Sequence, residues 1–246
     1  MSLIVRKLAL KSFIKKIFKL CGWNLIKFRK PPEPNPYGKI NYELLKKMND
    51  CKGILHLGAH RGTEAEVYNW FGKKVVWVEA SPFIFNELKE NLFFYKNQIP
   101  LQALLSDVDN EELDFYISNN DGACSSISNF TNEINKSDVY KGRNFKMLKK
   151  IKLKSCTLDT LFKKNNITSS NYTHWIIDLQ GAELKALKGS IESIKNCKSI
   201  VIEVSKKKFY QESALWHEVK DWLEKKNFVC TKEIEKDEED ILFVKK

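Results

Sequence analysis

The chain has 246 residues, of which 43% are hydrophobic and 12% aromatic, a composition that supports a folded core and argues against a disordered chain. Its formal net charge of +11 has the look of a nucleic-acid binder until the charges are located. Residues 1–30 hold nine lysines and arginines and no acid, which leaves +2 for the other 216 residues. This argues against a distributed nucleic-acid surface, and no nucleic-acid partner is expected. Six cysteines are scattered without a CxxC pair or zinc-like spacing, as in reduced thiols of a cytoplasmic protein. Of four histidines only His56 and His60 are close together, and no metal is expected.

In residues 1–30, Leu10, Phe13, Ile14, Ile17 and Leu20 recur at helical spacing, with Lys7, Lys11, Lys15 and Lys19 on the opposite side. No apolar run approaches the roughly 20 residues of a spanning helix, and there is no signal-peptide core. A basic amphipathic helix over residues 3–28 suits an anionic membrane surface, which would place the protein peripherally on the inner face of the membrane. Packing on its own domain or on a second subunit in a homo-oligomer explains the same pattern. The segment PPEPNPYGK is a stiff connector, so that residues 31–49 read as linker and lead-in helix and 50–246 as the main domain.

From residue 50 onward strand-like and helix-like stretches alternate. Strands are expected at 53–57, 74–78 and 100–105, with helices at 62–71 and 83–95 between them. Strands at 113–118 and 151–158 flank a loop, DGACSSIS. HWIID at 174–178 resumes the alternation, followed by a helix over 182–194, a strand over 199–204 and a helix over 212–225. The chain closes with a hairpin whose acidic turn, EKDEED, reads as a solvated tip. This order predicts an α/β, Rossmann-like, mostly parallel doubly wound sheet with a C-terminal antiparallel hairpin. Trp70, Trp77, Trp175 and Trp216 fall within apolar periods and are expected in the core.

LHLGAHRG stands at the carboxyl end of the first strand, where ligands bind in such sheets. Gly58 would admit a ligand to the backbone, and Gly62 would let the next helix start close to the strand. Glu79 ends the second strand, placed to accept two hydrogen bonds from a ribose diol, with Ser106 and Asp107 on the same edge. The spacing is GxxxG and lacks the middle glycine of a pyrophosphate-binding loop. A cofactor without phosphates, S-adenosylmethionine, fits better than a dinucleotide.

LHLGAHRGTEAEVY, VVWVEASP, ALLSD, LDTLF and WIIDLQGAELKALKG with VIEV together resemble the successive motifs of FkbM-type methyltransferases, over roughly residues 50–205. The resemblance implies a class I methyltransferase fold and transfer of a methyl group from S-adenosyl-L-methionine to a hydroxyl, often of a sugar or polyketide. It puts Gly58, Ala59, His60 and Gly62 along the methionine part of the cofactor, Glu79 with Ala80 and Ser81 at the ribose, Ser106 and Asp107 near the adenine, and Asp178 near the transferred methyl. Many relatives have Asp at the position of His56 and Asn at that of His60.

A hydroxyl acceptor must lose a proton, so a base is needed. Asp178 is the first candidate, Glu203 the second and His60 the third. An N-cap role for Asp178 is disfavoured, because Gln180 or Gly181 is the more natural cap of the following helix. Glu183 suits the first turn of that helix, and a cation shared by Asp178 and Glu203 lacks a third ligand. Gly122, Ser125 and Ser126 of the small-residue loop, with Gln180, are candidates for contact with the acceptor. The expected activity is O-methylation of a glycan or glycolipid precursor. The rivals are a nicotinamide- or nucleotide-sugar-dependent oxidoreductase and a non-catalytic module that docks on membranes or a partner.

Overall fold

The computed structural model describes residues 42–137 and 140–246, so the basic amphipathic helix and most of the linker lie outside the described residues. Tyr42–Asp50 forms α1, followed by β1 (Gly53–Leu57), α2 (Ala65–Trp70), β2 (Lys74–Glu79), α3 (Pro82–Leu92) and β3 (Gln98–Gln102). Next come β4 (Leu104–Leu105), β5 (Glu112–Ser118), β6 (Met147–Cys156), α4 (Leu158–Lys164), β7 (His174–Ile177) and α5 (Glu183–Lys188). β8 (Ser199–Ser205), α6 (Trp216–Glu224), β9 (Phe228–Cys230) and β10 (Glu238–Lys245) complete the chain.

Seven strands form one sheet in the order β3-β2-β1-β7-β8-β10-β9. All pairs are parallel except those of β10, which runs antiparallel between β8 and β9. The expected doubly wound sheet with a closing antiparallel hairpin is therefore present. Alternation along β1 and β2 sends Ile54, Val75 and Trp77 to one face, against Met48, Ala65, Tyr68 and Leu88. Leu55, Leu57, Val76 and Val78 go to the other face, against Leu158, Leu161, Ala186, Leu187, Val219 and Leu223. A small second sheet, β4-β6-β5, and a satellite core of Cys124, Ile134, Tyr140, Phe145, Phe209 and Tyr210 stand outside these layers.

Local chemistry sets several boundaries that periodicity misplaces. The helix after LHLGAHRG begins at Ala65, not at residue 62, because Gly62 is left-handed, with φ +66°. The strand over 151–158 stops at Cys156, because Thr157 caps a helix by accepting from the Thr160 N–H at 3.2 Å. The third strand is divided, with Leu104–Leu105 paired to β6 instead of β2. The helix expected over 182–194 ends at Lys188, and its N-cap is Ala182, not Gln180 or Gly181. The acids of EKDEED are not all a solvated tip: Glu235 is exposed, but Glu238 is a buried residue of β10, accepting from Tyr140 Oη and from Ser205 Oγ at 3.0 Å. Trp77 and Trp175 are core residues, but Trp70 is 86% exposed. The described residues contain no helix long and apolar enough to cross a membrane.

A buried amide ties the layers together. Gln98 Oε1 accepts from Trp77 Nε1 at 2.9 Å, and its Nε2 donates to the Ala65 carbonyl at 2.7 Å, joining β3, β2 and α2. Gln98→Leu leaves the buried Trp77 donor unpaired. Urea denaturation is expected to show a loss of about 1–3 kcal/mol with the m-value unchanged.

Candidate functional site

The order of strands reverses between β1 and β7, which opens a crevice at their carboxyl ends. A cavity of about 280 Å³ lies there, with His56, Gly58, His60, Glu79, Leu105 and Asp178 among its walls. Gly58 has φ +84°, and a Cβ on it would stand 1.6 Å from the Asp178 carbonyl oxygen. A Cβ on Gly62 would meet Leu88 Cδ1 at 2.7 Å. The two glycines of the motif are thus required by the neighbouring strand and by α3, and Gly58 also lines the cavity.

Glu79 is 8% exposed. Its Oε2 accepts from the His60 N–H at 2.9 Å and its Oε1 from the Ser81 N–H at 2.7 Å. Burial pushes its carboxyl up to about 7, against these hydrogen bonds, which hold it down. With the Ala80 N–H also holding it down, the carboxylate keeps acceptor capacity for a further donor. Val78, Ala103, Leu104 and Leu105 form an apolar wall nearby. A carboxylate beside a flat apolar wall fits a ribose diol with its attached base, so the residues present suit an adenosyl group. Ala80 also lines the cavity, whereas Ala59, Gly62, Ser81, Ser106 and Asp107 do not. The Ser106 carbonyl lies 2.2 Å from where a Cβ of Gly189 would be, so that this segment packs on the end of α5.

Asp178 follows β7, with its N–H bonded to the Leu57 carbonyl at 3.0 Å. Gln180, left-handed at φ +53°, donates through Nε2 to Asp178 Oδ1 at 2.5 Å and to Glu203 Oε2 at 3.0 Å. Both N–H bonds of the amide are thereby used. Its Oε1 must accept, and it does so from Tyr210 Oη at 2.5 Å. Gln180 therefore orients Asp178, and it also lines the cavity, with one lone pair of its Oε1 left over to meet an acceptor. Glu203 is outside the cavity wall, on the far side of this amide. Loss of water and the charge of Asp178 hold the Glu203 carboxyl well above the usual carboxylate range. Glu183 is buried, and its Oε1 accepts from the Leu179 and Gly181 N–H groups at 2.9 and 3.0 Å. With Asp178 and Glu203 it forms a group of carboxylates whose oxygens lie within 4.8 Å of one another. The fold thus places beside Asp178 and Glu203 a third carboxylate that sequence spacing did not show.

The loop after β5 forms the remaining wall, through Gly122, Ala123, Ser125 and Ile127. Ser126 is buried and donates to the Gln180 carbonyl at 2.7 Å, so its hydroxyl is used to anchor the loop. Arg61 ties this loop to α3 through ion pairs to Asp121 at 2.9 Å and Glu87 at 2.6 Å. His60 Nε2 lies 3.1 Å from Arg61 Nη1 and 3.3 Å from the Asp121 carbonyl oxygen, so this nitrogen is already engaged in either tautomer. Buried His56, at the position of the relatives' Asp, contacts Tyr68 Oη at 3.1 Å and stacks on Trp77 with ring centroids 4.7 Å apart. Tyr210 and the Arg61 pairs escape sequence reasoning, and Glu183, expected only in the first turn of its helix, also binds the backbone of the preceding turn. Tyr210 sits in KKKFYQES with no periodic signal, 30 residues from the amide that it holds.

Comparison with known proteins accords with this geometry. The methyltransferase FkbM domain matches residues 56–230, more than half of the chain. No curated protein matches it. Similar solved structures include M. capricolum TrmK in complex with S-adenosyl-homocysteine, at 10% identity and a TM-score of 0.44, covering 83% of this chain and 66% of that one. Magnesium protoporphyrin IX methyltransferase from Synechocystis PCC 6803, with bound SAM, has 9% identity and a TM-score of 0.45, covering 83% and 75%. A TehB-like SAM-dependent methyltransferase from Corynebacterium glutamicum has 9% identity and a TM-score of 0.43, covering 97% of each chain. The chain belongs to the FkbM methyltransferase family, with the class I fold, one antiparallel strand near the sheet edge, and S-adenosylmethionine as its cofactor.

Proposed function

We propose that this methyltransferase acts on a hydroxyl group, that of a sugar in a glycan or glycolipid, with Asp178 as the base. The observation that carries this reading is the Asp178 carboxylate, set in the cavity wall at the strand end and oriented by an amide whose own orientation is forced. The cofactor supplies a methyl group on a sulfonium, and in-line displacement depends chiefly on positioning. Glu79 would hold the ribose, and the apolar wall of Ala103, Leu104 and Leu105 the adenine. Gly58 and His60 would border the methionine end. The acceptor hydroxyl forms its new bond to the methyl carbon as its proton passes to Asp178 Oδ, within hydrogen-bond reach of that oxygen. Glu203, held well above its ordinary range by burial and by the charge of Asp178, stands beyond the Gln180 amide and outside the cavity wall. Small polar groups on the facing loop, with Gly122 and Ser125 among them, support a hydroxylated acceptor. The family habit supports a sugar as the acceptor.

Calorimetric titration with S-adenosylhomocysteine, beside NAD, tests the cofactor site. Micromolar binding of the first and none of the second is expected, and Glu79→Ala abolishes it. Affinity of the wild type should weaken as pH falls below about 7, where Glu79 gains a proton. Glu79→Gln should bind weakly at every pH.

Release of S-adenosylhomocysteine on presentation of sugar hydroxyls or of amines tests the acceptor class, and turnover with amines alone would refute O-methylation. With a working acceptor, Asp178→Asn is expected to lower kcat by about 10²–10⁴ with cofactor affinity retained. Tyr210→Phe should lower kcat about tenfold and shift the pH profile while leaving KM unchanged, because it frees the amide to rotate.

Glu183 has its carboxyl raised from 4.5 to about 7, mainly by burial. A raised acid favours the folded state below its unfolded pKa, and that advantage is lost as pH rises through the folded value. Glu183→Gln keeps an oxygen acceptor for the Leu179 and Gly181 N–H groups. It should gain Tm relative to wild type between pH 5 and 8, a crossover that thermal melts across this range would show.

A further inference from the structure

The amino ends of the strands form the edge of the sheet opposite the cavity, and their chemistry is different. Lys52, Lys74, Lys96, Lys198 and Lys225 stand at or just before the starts of β1, β2, β3, β8 and β9, and Lys246 follows the end of antiparallel β10. All six are exposed. Each strand of the main sheet except β7 therefore presents a lysine here. A cleft of about 620 Å³ joins the last turn of α1 to β8 and β10, with Lys47, Lys198 and Lys246 in its walls. The acids on this edge include Asp50, Glu224 and Glu192, the last paired with Lys195 at 2.6 Å. The carboxylates Glu79, Asp178, Glu203 and Glu238 all lie at the other end of the strands.

Large apolar side chains share the lysine edge. Crossover helices return the chain to the strand starts, and α2 and α3 end there in Trp70, 86% exposed, Phe93, 75% exposed, and Phe94, 47% exposed. The neighbouring Cys51, Phe71 and Tyr95 pack on one cluster, and Lys73 Nζ donates to the Asn49 carbonyl at 2.7 Å, so the aromatic groups and the lysines belong to one continuous edge. A core tryptophan was expected at 70, and its exposure costs apolar hydration unless something covers it.

We propose that this strand-start edge of the folded domain docks on an anionic lipid bilayer and points the cavity away from it. Exposed tryptophan and phenylalanine beside lysine match the interface of a bilayer, where amphipathic rings sit at headgroup level and ammonium groups meet diffuse negative charge. The six strand-end cations are all lysine, a point charge, without the planar fork of arginine that favours bidentate recognition of nucleic-acid phosphates. The docking face is separate from the methyl-transfer reading and does not depend on it.

The test is flotation of the full-length protein with vesicles of phosphatidylcholine, or of phosphatidylcholine mixed with phosphatidylglycerol, with S-adenosylhomocysteine affinity as the control for an intact domain. Wild type should float only with the anionic vesicles. A Lys74→Glu, Lys96→Glu, Lys198→Glu variant, with residues 1–30 intact, should lose at least about tenfold in partitioning, and Trp70→Ser several-fold, each with cofactor affinity unchanged. Flotation of both variants equal to that of wild type would overturn the docking face while leaving the methyltransferase reading standing. Tighter binding of the wild type to single-stranded RNA than to anionic vesicles would also overturn it.

Discussion

The contact on which the site depends is between two backbones. At the switch point the Asp178 carbonyl occupies the place where any residue but glycine at position 58 would put its Cβ, and the Asp178 N–H bonds the Leu57 carbonyl. β1 and β7 are thereby held together to their last residues, so the crevice opens just beyond them. Gly58 meets two demands at once, a left-handed φ and a missing Cβ. The turn after β1 then aims the His60 N–H at Glu79, and the turn after β7 aims Asp178 into the cavity.

Two buried glutamates shape these turns in the same way. Glu79 accepts from the backbone at His60 and Ser81, and Glu183 from the backbone at Leu179 and Gly181. Each carboxylate satisfies N–H groups that a loop would otherwise leave unpaired. The environment opposes its charge, which is why both sit near 7. Asp178, Glu203 and Glu238 add further carboxyl groups, and neutral partners answer them, Gln180, Tyr140 and Ser205, with Tyr210 holding the Gln180 amide. No lysine or arginine among the described residues pairs with any of these acids. Neutral donors orient a carboxylate without quenching its charge, which suits a group that must take up a proton.

The same strands that gather acids at one end carry lysines at the other, so the nearly neutral domain is electrically polarised along the strand direction. Net charge conceals this. The small balance of charge outside residues 1–30 argues against a distributed basic surface, and it does not exclude a local one. Trp70 shows the same blindness in apolar terms, since it fits the helical period of α2 but falls past its buried face, which Ala65 and Tyr68 occupy.

The sequence by itself determined the alternation of strands and helices, the parallel doubly wound sheet, the closing hairpin and the place of the cofactor crevice. These follow from periodicity and from strand-end residues such as Glu79 and Asp178, which are local signals. Helix and strand ends were less legible, because Gly62 and Thr157 act through φ and capping, and these override the apolar period. Only the tertiary structure decided why Gly58 and Gly62 are glycines, that Glu238 is buried, that Ser126 anchors its loop and that Tyr210 holds the amide beside Asp178. Each of these depends on a partner brought close by folding, as with Ser126 and Gln180, 54 residues apart, and no pattern along the chain encodes which donor meets which acceptor once the layers have packed.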